Sequence, residues 1–320
     1  MTFHPTADPL QRHQADPLRL AAPPAPADLG RAQPAPAAPR HRSRAASLLA
    51  AAELDQRLAT QLLRLPPGQR RAAIRHDPGF RRLTLAQLFA LQAESALLQP
   101  AASPLAMAEL AAVIASELVA EPSDCPAAEE KIAETAALAH WLLGKALLLD
   151  ESRRPLAEES FLAVFAFVAD RGPCEPQALA HAGLGQLHVD LGQLDAAIPC
   201  FLSAARLFGQ LDAAKPAAAC LAELGLALHD GGDLANAEHA LRRSLHLLGN
   251  PAFAPSLAAR LHLALAAIAD TLGRSAAAGD HQERARHLHR LPSPPTRILT
   301  DRLLRCRGEH EDPIGAAMGL

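Results

Sequence analysis

The 320-residue sequence has no tyrosine, a single tryptophan, nine phenylalanines and only three lysines against 28 arginines. Strands draw on Val, Ile, Thr and aromatic residues, and no long stretch alternates such residues with polar ones, so sheet is excluded as an organising element. Cysteine is sparse and poorly placed for cross-linking. Cys125, Cys174, Cys200, Cys220 and Cys306 are odd in number and form no CxxC pair, which favours a reducing compartment. Long apolar runs are missing as well: every Ala-rich stretch is cut by Glu, Asp, Arg or His before the roughly 18–20 residues a membrane span needs. The opening residues MTFHPTADPLQRHQADPLRL carry acids and prolines where a secretory signal has an apolar segment. A soluble, cytoplasmic protein without membrane association is the expectation.

Catalytic signatures are absent too. There is no GxSxG and no HExxH, and GLGQLH at 183–188 lacks the third glycine of a dinucleotide loop and follows no strand. HDGGDLANAE at 229–238 misses the spacing of a calcium loop but suits a turn with Asp233 capping a helix. Of the 15 histidines, His181 with His188 and His239 with His246 share helical faces, and His281, His287 and His289 lie close together. Zinc requires three or four converging ligands, and no such set is visible. No enzyme activity, cofactor or metal is expected.

What the sequence does have is Ala and Leu in abundance, which favours helices packed through small side chains. Residues 1–44, dominated by Pro, Ala, Arg and His, read as a disordered tail. From Ala45, a helical stripe of Leu48, Leu49, Leu54, Leu58, Leu62 and Leu63 runs to a stop at Pro66 and Pro67. An Arg-rich segment with Arg70, Arg71, Arg75, Arg81 and Arg82 follows, halted at Pro78 and Gly79, and two further antiparallel helices fill 83–119. Charge is uneven: residues 1–82 hold 13 Arg against 6 acids, +7, and residues 83–320 hold 18 bases against 28 acids, −10, which sum to the net −3. The basic front is either solvated surface or a contact for nucleic-acid phosphates.

Internal repetition organises the rest of the chain. Residues 184–204 and 224–244 align at a period of 40. In each copy a Leu-Gly step (Leu184-Gly185, Leu224-Gly225) precedes a turn glycine (Gly192, Gly232), then Ala (Ala197, Ala237), then a large apolar residue (Phe201, Leu241). A third copy places Leu265, Ala266, Gly273, Ala278 and Ala285 in the same frame, with Gln282 in place of the large apolar residue. Upstream, Leu143-Gly144 lead to Ala157 and Phe161, with Glu151 and Ser152 in the turn. The Leu-Gly step admits close approach of the following helix, the turn glycine ends a helix, and the later Ala is the matching small contact. Pro176, Pro216 and Pro255 punctuate the starts of successive first helices. His140, His181 and His262 share one offset, which points to packing. A single pair cannot bury its apolar face, so the pairs must stack.

These offsets resemble those of tetratricopeptide repeats over roughly residues 130–290, with 83–119 a weaker copy. The period of 40–41 exceeds the family's 34, and His188 and Leu228 stand where a tyrosine is usual, which resembles the long-helix arrays of some bacterial regulators. The resemblance implies an all-α solenoid of antiparallel helix pairs, ordered as a 1–44 tail, a 45–125 N-terminal helical region, a 126–290 array, and a 291–320 end with a capping helix near 296–307. It also implies a protein-interaction scaffold that holds a protein or peptide partner in a concave groove lined by first helices. Carried onto this chain, the groove positions are Trp141, Lys145, Gln186, Asp190, His229, Asp230, Arg260 and Asp270. The recurrence of Asp190, Asp230 and Asp270 suggests an acidic ladder suited to basic or amide-rich peptides. The competing expectation is a nucleic-acid-associated regulator that binds through the Arg-rich front.

Overall fold

The computed structural model describes residues 39–291, apart from 100–102, 122 and 124. Residues 1–38 of the expected tail and the expected capping helix at 296–307 lie outside the described residues. Among the described residues there are twelve α-helices and no strand. They are α1 (Pro39–Arg64), α2 (Pro67–His76), α3 (Leu83–Leu97), α4 (Leu105–Val119), α5 (Pro126–Leu148), α6 (Arg154–Phe167), α7 (Glu175–Asp190), α8 (Leu194–Gln210), α9 (Ala214–Asp230), α10 (Leu234–Leu248), α11 (Pro255–Thr271) and α12 (Ser275–His289).

Helix α1 begins at Pro39, six residues before the expected onset at Ala45, because the first turns carry none of the leucines by which that onset was located. Packing divides the chain between Ala46 and Ser47. Within α1 the leucine stripe does not behave as one face. Leu48, Leu49 and Leu54 are exposed, whereas Asp55, Ala59 and Leu62 are buried, with Leu58 and Leu63 packed beside them. The face turned inward runs at spacings of four and three through 55, 59 and 62, and it admits Asp55 because Arg82 donates to its Oδ1 at 2.6 Å.

From α3 onward each helix packs on its successor: α3 on α4, α5 on α6, α7 on α8, α9 on α10 and α11 on α12. The weaker copy at 83–119 is therefore a helix pair, and the four repeat copies are four more. Prolines open several helices, at Pro126, Pro155, Pro176 and Pro255, where the missing N–H has no intrahelical partner to lose. Among the first helices, α5 touches α7, α7 touches α9, and α9 touches α11, while no second helix packs substantially on another second helix.

The Leu-Gly frame is a packing device. A Cβ built on Gly144 would lie 2.5 Å from the Phe161 ring, one on Gly185 2.8 Å from the Phe201 ring, and one on Gly225 2.6 Å from Leu241. Leu184 and Leu224 are buried beside these steps. Phe161 is held from both sides, since a Cβ on Gly183 of the next first helix would approach it to 2.4 Å. Ala157, Ala197, Ala237 and Ala278 are all fully or almost fully buried. In the last pair, Gln282 is exposed and Ala266 replaces the glycine, because without a large side chain opposite there is nothing to make room for.

The helix-ending turns repeat as well. Gly192, Gly232 and Gly273 have φ of +72°, +84° and +70°. At each, the next residue's N–H reaches the carbonyl five residues back: Gln193 to His188 at 2.8 Å, Asp233 to Leu228 at 2.9 Å, and Arg274 to Ala269 at 2.8 Å. Between α8 and α9 the same geometry is made with Asp212 at φ +54°. One apolar cluster runs from Ala59 to Cys220, with no break near the expected boundary at 125/126.

Candidate functional site

The side chains proposed from the repeat frame fall on α5, α7, α9 and α11, the helices that touch one another. Trp141 is buried within the core cluster, unlike the other side chains named for the groove. The spacing that put it beside the Leu-Gly step did not distinguish the inward from the outward face.

Lys145, one turn further along α5, is half-buried, and burial lowers its pKa while the Asp190 and Glu223 carboxylates act to raise it. Asp190 is exposed and accepts from Gln186 Nε2 at 2.9 Å. Arg260 donates to Glu223 Oε1 at 2.9 Å, joining α11 to α9. His229 Nδ1 lies 3.2 Å from Asp230 Oδ1, and Asp230 and Asp270 are both exposed. The result is a set of charges across four first helices, with Asp190 and Glu223 between Lys145 and Arg260 and with Asp230 and Asp270 beyond. Glu223, which joins Lys145 electrostatically to Arg260, was missed; its position just before Leu224 was the available signal.

The three aspartates occupy matching ends. Asp190 and Asp230 are the last residues of α7 and α9, and Asp270 is the next-to-last residue of α11. Unpaired carbonyls give a helix C-terminus partial negative charge, so an acidic residue there costs roughly 0.3–1 kcal/mol. Such a placement recurs in three successive repeats.

The other expected clusters resolve differently. Arg70 donates to the carbonyls of Leu65 and Leu63, closing the end of α1. Arg75 pairs with Glu117 at 2.7 Å, Arg81 with Glu121, and Arg82 with Asp55. Of the arginines at 64–82, Arg64 and Arg71 remain exposed without an ion-pair partner among the described residues, so most of the cations that a phosphate backbone would need are engaged in holding α2 and its flanks together.

The histidines at the shared offset pack. His140 shares a 2.9 Å hydrogen bond with Ser116 Oγ and lies 5.1 Å from the Phe167 ring, and burial pulls its pKa down to about 4. His181 sits 4.8 Å from Phe165 and is likewise lowered, chiefly by burial. His262 and His281 share a 3.0 Å Nδ1–Nδ1 contact that ties α11 to α12. No group of three or more metal-ligating side chains converges among the described residues. The thiol of buried Cys220 is pushed up to about 12 by burial and by Glu223.

This pairwise geometry has a counterpart among known proteins. The tetratricopeptide repeat family model matches residues 178–216, which span α7, α8 and the start of α9. The chain carries a tetratricopeptide repeat. The neighbouring pairs repeat its helix-turn-helix geometry, so the array as a whole is tetratricopeptide-like. The crystal structure of BtubC (BKLC) from P. vanneervenii superposes with a TM-score of 0.53 at 18% identity, over 81% of this chain and 94% of that one, and shares the fold. A crystal structure of MamA aligns more loosely, with a TM-score of 0.41 at 18% identity over 57% of this chain and 89% of that one. No curated protein matches the sequence significantly. No helix among the described residues is long and apolar enough to cross a membrane.

Proposed function

We propose that the array is a non-enzymatic scaffold that holds a protein or peptide partner against its first helices. The observation that carries this reading is the placement of Asp190, Asp230 and Asp270, exposed, at the C-terminal ends of α7, α9 and α11. Asp190 already faces Lys145 within the array, while Asp230 and Asp270, set against their own helix dipoles, are explained by an external cation better than by folding. Lys145 and Arg260 are already matched to Asp190 and Glu223, so the surface stays acidic in balance and favours basic or amide-rich segments.

The test is capture on the full-length chain. Bound proteins are quantified for wild type and for the Asp190→Lys, Asp230→Lys double variant, with helix content checked in each. Specific partners should be at least tenfold depleted on the variant, about 1.4 kcal/mol, with folding unchanged. Equal capture by both proteins would remove the first-helix surface from consideration.

A further inference from the structure

A second surface lies away from the aspartates. Helices α8 and α10 do not pack on one another, and between them, over the first half of α9, opens a groove of about 880 Å³. Its walls are apolar, with Leu202, Leu221 and Leu247 contributing, and Leu202 is 50% exposed. Two guanidinium groups border it, Arg206 from α8 and Arg243 from α10; both are exposed and neither has an ion-pair partner among the described residues. Asp212 is the one carboxylate in the lining.

We infer that this groove receives an amphipathic helix whose polar face is acidic. An open trough between two helices suits a third helix better than it suits a small molecule, which is enclosed on most sides when bound. The leucines supply the contact for one apolar face, and the volume accommodates the side chains of about two turns. Arg206 and Arg243, one on each wall, set the sign of the partner. Cations thus border this groove, while the C-terminal ends of α7, α9 and α11 carry the exposed Asp190, Asp230 and Asp270. Segments of opposite charge can bind at once without competing.

The experiment uses the full chain and a labelled 18-residue helical peptide with leucines on one face and glutamates on the other, followed by fluorescence anisotropy. Saturable binding is expected, weakening as salt is raised. The Arg206→Glu, Arg243→Glu double variant should bind at least tenfold more weakly, as should Leu202→Asp, with helix content unchanged. Asp190→Lys with Asp230→Lys should leave this binding intact, so the groove and the first-helix surface stand or fall separately. Equal affinity for the same peptide with lysine in place of glutamate would overturn the proposal, as would an unaffected arginine double variant. Self-association of the chain that the arginine variant abolishes would assign the groove to a second copy and overturn it as well.

Discussion

Adding a single methyl group at different glycines should change stability in opposite directions. In Gly144→Ala the new Cβ falls 2.5 Å from the Phe161 ring, well inside van der Waals contact. The ring has no free side to retreat to, because Gly183 of α7 bounds it at a comparable distance. Overpacking of this kind costs about 1–3 kcal/mol. Alanine's better helix propensity returns up to about 1 kcal/mol, so the net effect should be a loss of about 1–2 kcal/mol. Gly279→Ala in α12 is the control: nothing lies within 4 Å of its Cβ, so only the propensity term acts and stability should rise by about 0.5–1 kcal/mol. Thermal unfolding followed by circular dichroism separates the two, since 1 kcal/mol corresponds to about 2–4 °C in a chain of this size. Combining Gly144→Ala with Phe161→Leu should cost less than the sum of the single changes, because the smaller side chain vacates the space the methyl needs. If Gly144→Ala raised the midpoint as Gly279→Ala does, the close contact between α5 and α6 would be wrong.

Three shorter predictions follow from the same geometry. Ala197→Glu or Ala237→Glu should lower stability by about 2 kcal/mol or more, since both methyls are fully buried and a carboxylate there would be overpacked and desolvated; denaturant unfolding checks this. Acid should loosen the array as pH falls from about 6.5 toward 4. The pKa of His140 is lowered on folding to about 4, so the unfolded chain binds its proton first and the stability present above pH 6.5 is progressively lost below it, by up to about 3 kcal/mol for this residue. His140→Phe should flatten that dependence. Alkylation of the native protein by iodoacetamide at pH 8 should label exposed Cys125 and spare Cys220, whose thiol is buried and raised to about 12; peptide mass mapping reads the outcome, and equal labelling would contradict the packing of α9.

The repeat frame was legible because each offset records a short-range steric need. Gly144, Gly185 and Gly225 each face the large side chain that the spacing paired with them, and Ala266 appears where Gln282 removes the need. The second contact of Phe161, with Gly183, belongs to stacking between pairs, which a pattern within one copy does not encode. Trp141 and the leucines of α1 show the corresponding limit. Hydrophobic spacing locates a stripe, but whether Leu48 and Leu54 or Asp55 and Ala59 turn inward depends on which neighbour reaches them. Here Arg82, 27 residues away, tipped the choice by pairing with Asp55. The arginine run had the same ambiguity, since nothing local marks Glu117 and Glu121 as partners of Arg75 and Arg81 across some 40 residues.

Charge therefore carries functional information in this chain only after the internal pairs are set aside. Arg75, Arg81 and Arg82, three of the 13 arginines of the basic front, are matched within the fold, and Arg260 and Arg274 are likewise joined to Glu223 and Glu238. Among the charges left over are Asp230 and Asp270 at the ends of first helices and Arg206 and Arg243 beside the groove between α8 and α10. The aspartates sit at the helix ends that least favour them. A solenoid whose helices pack through Ala, Gly, Phe and Leu leaves its polar positions free to vary. The aspartate-bearing helix ends and the arginine-bordered groove can therefore differ in sign at a small cost in stability, as binding of two segments of opposite charge would require.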